Sequence, residues 1–270
     1  MKTVIFCGGR GTRIREVTDN AIPKPLVQIG KFPILWHIMN HYAYYNYKEF
    51  ILCLGYLGWQ IKSYFLNFKA MANNFTIQID KPNNIKYYND SNHEIDWQTT
   101  LVETGENAQT GARVRKIRKF VEKDDIFMLT YGDGLSDVNI DDLVRFHKIH
   151  KKIGTVTGVR PSGRFGEIEV TANNQISEFN EKPQTTGGRI NGGFFVFDSK
   201  RIWDYLPEGE DLNFEMGPLR ELAKDGELMM FPHNGFWQPM DTYREYQLLN
   251  HIWEDGKITG NIPWPGEKFR

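Results

Sequence analysis

The feature that most constrains this chain is a short apolar run that stops abruptly in glycine. Thr3-Val4-Ile5-Phe6-Cys7 breaks into Gly8-Gly9-Arg10-Gly11-Thr12-Arg13, and Pro23-Lys24-Pro25 follows soon after. This is a strand ending in a loop with little side-chain bulk and two guanidinium groups. Glycine has no Cβ and tolerates unusual dihedrals, so backbone N–H groups in such a loop can approach an anion closely. Arg13 adds a donor fork suited to phosphate oxygens. A plain glycine-rich turn from strand to helix explains the same residues equally well, so the remaining chain has to decide.

Downstream, strand and helix signals alternate. Leu26-Val27-Gln28-Ile29 is followed by Pro33 to Met39, with proline near a helix start and apolar residues on a helical period. Phe50 to Leu54 reads as a buried strand ending at Gly55, and Leu57 to Phe68 as a helix with Ile61, Tyr64, Phe65 and Phe68 on one face. Ile126 to Thr130 is a further buried strand, and a helix is expected from Asp141 to His150. Such alternation predicts a Rossmann-like, doubly wound α/β sheet with ligands at the carboxyl ends of its strands. The second half reads as strand-rich, with extended runs at Gly154–Val159, Gly166–Val170, Ile176–Phe179 and Gly192–Phe197. Helices are expected again near Ser199–Tyr205, Glu215–Lys224 and Tyr243–Trp253. The expectation is one mixed domain over residues 1–270, with antiparallel additions in its second half. The polar stretch Asn73–Gln98 reads as an insertion or flap over the sheet.

Several function classes drop out. With 270 residues and a formal net charge of −1, the chain offers no bulk electrostatic attraction for nucleic acid or acidic membranes. No apolar run approaches the roughly 20 residues needed to cross a bilayer, and the N-terminus carries no signal-peptide pattern. Cys7 and Cys53 lie in apolar runs and read as buried free thiols, so the protein is expected in the cytoplasm. The glycine loop lacks the Gly-Lys-Ser/Thr ending of a P-loop, and Ile14 stands at the third position of a dinucleotide fingerprint. His37 and His41 have i, i+4 spacing, but Ile38 replaces the glutamate of a zinc-protease motif; they read as ordinary helix histidines.

The candidates for chemistry are charged residues at turns. Asp133 follows the Ile126–Thr130 strand between two glycines, and Asp241 precedes the last helix. Taken singly, a turn aspartate and a helix N-cap explain them. Brought together with a phosphate-binding loop, they suit Mg²⁺, which commonly takes one or two carboxylates plus substrate phosphates. Lys24 sits between prolines that stiffen its backbone, and Lys182 has Pro183 after it. The run Arg113, Arg115, Lys116, Arg118, Lys119 reads as a solvated helix face, with Arg113 its one anion-ligand candidate.

Taken in order, Gly8-Gly9-x-Gly11-Thr12-Arg13, Pro23-Lys24-Pro25, Gly132-Asp133, Glu181-Lys182-Pro183 and Asn191-Gly192-Gly193 resemble the sugar-1-phosphate nucleotidyltransferase family. Thr104 to Asn107, Gly163 to Gly166 and Gly235 to Thr242 resemble the branch that joins CTP to glucose 1-phosphate. The resemblance implies a GT-A-like nucleotidyltransferase fold, a nucleotide-binding half over about residues 1–150 and a sugar-phosphate half over about 151–270. It implies that Gly8, Gly9, Arg10, Gly11, Thr12 and Arg13 wrap the triphosphate, with Lys24 near the α-phosphate. Thr104, Arg113 and Gly132 would shape the nucleotide side, and Asp133 and Asp241 would hold Mg²⁺. Lys182 would meet the sugar phosphate, while Glu181, Asn191 and Gly192 would contact sugar hydroxyls. Arg13, Lys24 and Lys182 would then be the catalytic charges. Small-molecule substrates and a homo-oligomer are implied as well. Ala108 stands where relatives carry a hydroxyl, and uridylyl or thymidylyl transfer, or sugar-nucleotide binding without catalysis, remain the alternatives.

Overall fold

Thr3–Cys7 is completely enclosed, and the sheet is built outward from it. The computed structural model describes residues 1–88, 95–161, 167–170, 175–180 and 188–266. The expectations placed on Gly163 to Gly166, Glu181 and Lys182 lie outside the described residues. The central sheet has seven strands, in the order Leu228–Pro232, Gly154–Val159, Ile190–Asp198, Ile126–Tyr131, Thr3–Cys7, Glu49–Leu54 and Gln98–Glu103. Thr3–Cys7 runs parallel to both of its neighbours, and Glu49–Leu54 runs parallel to Gln98–Glu103. Within this sheet only Ile190–Asp198 is reversed, antiparallel to the strand on each side. The doubly wound mixed α/β sheet therefore forms, with its antiparallel addition in the second half.

Side chains alternate across the central strand into two separate apolar layers. Ile5 and Cys7 pack with Leu35 and Ile38 of the helix Ile34–Tyr44, Leu143 of the helix Ile140–His150 and Leu249 of the helix Tyr243–Thr259. Val4 and Phe6 face the opposite layer, where Val114 of the helix Thr110–Lys116 and Leu219 and Leu222 of the helix Pro218–Lys224 cover them. Each fully buried aliphatic side chain contributes about 1.5–3 kcal/mol, which explains why a strand enclosed on both sides carries no polar alternation. His37 and His41 are core histidines: their Nε2 atoms sit 2.9 Å from the Ile29 carbonyl and 2.8 Å from the Val138 carbonyl. Both cysteines are free and buried.

Some boundaries differ from expectation for identifiable reasons. Asn73–Gln98 contains an antiparallel hairpin, Asn74–Gln78 against Lys81–Tyr88, in which Phe75 pairs with Tyr87 and Ile77 with Ile85. Its apolar residues alternate among asparagine and lysine, so composition alone hides the strands. Leu228–Pro232 forms an edge strand with no clear alternation, and its methionines are exposed. The Ser199–Tyr205 helix shrinks to a 3₁₀ turn at Ile202–Tyr205. The last helix runs on past Trp253 to Thr259, where Gly260 ends it in the left-handed conformation. The basic run is exposed at Lys116, Arg118 and Lys119 as expected, with Arg115 half-buried and Arg113 buried. Arg115 holds Leu206 O and pairs with Glu208, Lys116 holds Thr104 O and pairs with Glu210, and Arg118 lies over the Trp203 ring. No helix among the described residues is long and apolar enough to cross a membrane.

Candidate active site

The chain leaves Thr3–Cys7 for Glu49–Leu54 on one side and later returns to Ile126–Tyr131 on the other. That divergence creates a crevice at the carboxyl ends of the strands, where open α/β sheets bind ligands. In the pairing register Phe6 lies beside Tyr131, so the Gly8 loop and Gly132-Asp133 leave the sheet at the same level. Gly132 has to be glycine because a Cβ there would run into the Phe6 carbonyl. Gly11 has φ +60°, and the turn Thr12–Ile14 follows it. Together these segments wall a cavity of about 310 Å³ that Gly8, Gly9, Thr12, Arg13, Lys24, Gly132, Asp133 and Asp241 all line.

Two carboxylates converge on one ammonium at the cavity floor. Lys24 Nζ lies 2.5 Å from Asp133 Oδ2 and 2.7 Å from Asp241 Oδ1. Arg13 Nη2 lies 3.0 Å from the same Asp241 oxygen, with its own side chain 72% exposed. The Lys24 side chain is only 11% exposed. Burial works to lower the Lys24 pKa, but the Asp133 charge and the hydrogen bonds Lys24 donates to both carboxylates outweigh it and hold the pKa above the usual lysine value. Asp241 is not a helix N-cap: Thr242 caps the helix, and Glu245 Oε2 accepts the N–H groups of Asp241 and Thr242. Its carboxylate is thereby left to face Lys24.

This donor set fits a divalent metal. Both carboxylates present hard oxygen atoms and already meet at a cation, the Lys24 ammonium. Among the described residues no cluster of three His, Cys, Asp or Glu side chains could hold a metal unaided, so substrate oxygens would have to complete the shell.

Other expected residues take different places. Thr104 is fully buried: its hydroxyl donates to Leu54 O at 2.6 Å. Arg113 reaches the cavity wall, but its terminal N–H groups are engaged. Nη1 donates to Leu54 O and Thr104 Oγ1, and Nη2 donates to Gly8 O and Glu106 O. Thr104 and Arg113 thus brace the backbone on which the glycine loop rests, and Arg113 also lines the cavity. Arg10 turns away from the cavity to donate to Glu106 Oε1 and Asn107 Oδ1, both at 3.0 Å. On the other side of the crevice, Asn191 Oδ1 accepts Gly193 N–H at 2.8 Å and Gly192 O accepts Trp237 Nε1–H.

The sequence reading assigned nothing to Tyr131, Glu215 or Glu245. Tyr131 offers a faint signal, a polar tip closing an apolar strand. Glu245 is legible from the capping-box spacing Thr242-x-x-Glu245, whereas Glu215 has no signal, since it acts through a partner far away in sequence.

Comparison with known proteins gives a consistent result. A family profile described as Nucleotidyl transferase matches residues 2–255. The chain is 43% identical over 264 residues to a glucose-1-phosphate cytidylyltransferase of Salmonella typhimurium, covering 98% of each chain. It is 29% identical over 249 residues to a Xenopus tropicalis mannose-1-phosphate guanylyltransferase catalytic subunit beta, covering 89% of this chain and 62% of that one. Among solved structures, HddC from Yersinia pseudotuberculosis superposes with a TM-score of 0.65 at 20% identity, covering 93% of this chain and 99% of the other. That last likeness bears on fold alone.

Proposed function

Since the chain belongs to the nucleotidyl transferase family, we propose that it transfers the cytidylyl group of CTP to α-D-glucose 1-phosphate, giving CDP-glucose and pyrophosphate. Similarity to a cytidylyltransferase over nearly the full length supports this substrate pair. The observation that carries the mechanism is the convergence of the glycine loop, Lys24, Asp133 and Asp241 in one crevice.

An oxygen of the sugar phosphate attacks the α-phosphorus in line, the α-phosphorus–oxygen bond to the leaving group breaks, and pyrophosphate departs with the electron pair. A phosphate monoester has a second pKa of about 6, so the nucleophile is largely dianionic at neutral pH and needs no general base. What the site must supply is alignment and relief of repulsion between two polyanions. Arg13 and the backbone N–H groups from Gly8 to Thr12 hold the triphosphate. Lys24 shifts its ammonium to the α-phosphate, and Lys182 meets the sugar phosphate. Asn191, Gly192 and Glu181 orient the sugar. Nucleotidyl transferases use a divalent metal, and here Asp133 and Asp241 would hold it, with Mg²⁺ our proposal, to neutralise charge on the triphosphate.

The nucleotide side falls to about residues 1–150 and the sugar-phosphate side to the remainder, within one domain. We also propose that the enzyme works as a homo-oligomer, which its native mass in solution tests. The deciding experiment incubates the protein with glucose 1-phosphate, Mg²⁺ and CTP, UTP, dTTP or GTP in turn, and measures pyrophosphate. CTP should give the highest turnover. Equal or faster release with UTP or dTTP overturns the base assignment, and no release with any of them overturns catalysis.

A further inference from the structure

Tyr131 closes the strand Ile126–Tyr131 and lines the cavity, yet the reaction itself gives it no work. Its ring packs beside Phe6 and Phe195, and Gly193 lies so close that a Cβ there would strike it. Two separate segments meet at its hydroxyl. It donates to Glu215 Oε1 at 2.6 Å and accepts from Asn191 Nδ2 at 3.2 Å. The second Glu215 oxygen accepts from Thr110 Oγ1 at 2.7 Å, and Thr110 Oγ1 in turn accepts Phe214 N–H at 3.0 Å. Thr110 lines the same cavity. A continuous path of hydrogen bonds therefore runs from the nucleotide side, through Glu215, to the Asn191 turn.

That path has a fixed direction. An ionised carboxylate can only accept, so both hydroxyls must point their protons at Glu215. Burial and the Glu215 charge both raise the Tyr131 pKa, which keeps the phenol protonated. With its proton given to Glu215, the Tyr131 oxygen has only lone pairs left for Asn191. The Asn191 amide must then present its NH₂ to Tyr131 and its oxygen to Gly193 N–H, as observed. Reversing the Tyr131 hydroxyl would leave the amide with no satisfied orientation in its present place.

We propose that Glu215 is a positioning residue for the sugar phosphate, acting through the Tyr131 hydroxyl to fix which face of the Asn191 amide meets the sugar. It rests on the reading above that Asn191 contacts sugar hydroxyls. Glu215 does not line the cavity; its influence reaches the substrate only through its partners. A glutamine at this position offers one oxygen and one NH₂, so it cannot accept from Tyr131 and Thr110 together. One of the two hydroxyls must turn.

The test compares Glu215→Gln, Tyr131→Phe and the double variant by pyrophosphate release, with CTP and glucose 1-phosphate varied separately. Each single variant should raise the KM for glucose 1-phosphate by about tenfold, the scale of one charge-assisted hydrogen bond. The KM for CTP and the melting temperature should stay near wild type. The double variant should be no worse than Tyr131→Phe alone, because the two residues act in series. An unchanged KM for glucose 1-phosphate, equal rises for both substrates, or multiplying effects in the double variant overturns the proposal. Should Glu215→Gln fail to fold, Tyr131→Phe, which removes a single oxygen, decides by the same split. Wild-type turnover without that split sinks this inference alone. Absence of wild-type turnover sinks the functional reading beneath it as well.

Discussion

Lys24 carries most of the electrostatics of the site. Before any ligand arrives, the charges of Asp133 and Asp241 are matched by those of Lys24 and Arg13, with Lys24 within hydrogen-bonding distance of both carboxylates. A free divalent cation therefore meets little net negative charge, and it has to displace an ammonium that is only 11% exposed. In the proposed mechanism a triphosphate would change this, by drawing the lysine and arginine toward itself and exposing the carboxylates. Lys24→Met should lower kcat by roughly the 10²–10³ typical of losing one transition-state charge donor. The same variant should bind Mn²⁺ about tenfold more tightly than wild type in the absence of nucleotide, read by electron paramagnetic resonance. Equal Mn²⁺ affinity would show that the lysine does not compete for the carboxylates. Asp133→Asn should raise the metal concentration needed for half-maximal activity at least about tenfold, since one of two hard ligands becomes a weaker neutral oxygen. Activity that survives EDTA would rule out the metal. The sequence pointed to Lys24 because prolines bracket it. It could not show how Arg113 is held, since a sequence displays a charge but not the carbonyls of Gly8, Leu54 and Glu106 that its N–H groups meet.

Among the elements, the helix Tyr243–Thr259 shows how local chemistry positions a distant group. Its capping box joins Thr242 and Glu245, and the same Glu245 carboxylate also accepts the Asp241 N–H at 2.8 Å. Asp241 is thus held one residue ahead of the cap, with its carboxylate directed into the cavity. Thr242→Ala should cost about 1 kcal/mol of stability through the lost cap. Glu245→Ala should do this and also raise the metal requirement severalfold, because two N–H groups that orient Asp241 lose their acceptor. Urea unfolding and metal titration of activity separate the two effects. If Glu245→Ala leaves the metal requirement where Thr242→Ala leaves it, Glu245 serves the helix alone. Elements with strong local signals could be read in advance: the unbroken apolar strands at Thr3–Cys7 and Ile126–Tyr131, and the proline-led helix Ile34–Tyr44. What escaped depends on partners far along the chain. Leu228–Pro232 becomes a strand because Gly154–Val159 offers it an edge, and the Asn74–Tyr88 hairpin hides its alternation among polar residues. Glu215 matters through Tyr131, 84 positions away.

For the whole molecule, pH sets two separate limits, and the core histidines supply one of them. Burial lowers the His41 pKa to about 4, with His233 adding to the effect against the Val138 hydrogen bond. Burial likewise lowers the His147 pKa to about 4, reinforced by His150 and Lys148 against Asp198. In the unfolded chain both return to about 6.5. Between pH 6.5 and 4 the unfolded state binds more protons than the native state, so stability rises with pH across that window and falls as pH drops through it. From pH 7 to pH 5 each histidine should cost on the order of 2 kcal/mol. The second limit is the substrate: below about pH 6 the sugar phosphate becomes protonated and loses nucleophilicity without any change in the protein. The two are separable. His41→Gln can still donate to the Val138 carbonyl but cannot take up a proton, so it should flatten the slope of unfolding free energy between pH 7 and pH 5. It should leave the acid limb of kcat/KM for glucose 1-phosphate unmoved. A slope identical to wild type would mean that His41 already titrates normally in the fold. An acid limb that moved with the mutation would tie activity to folding rather than to the nucleophile, against a mechanism that uses no general base.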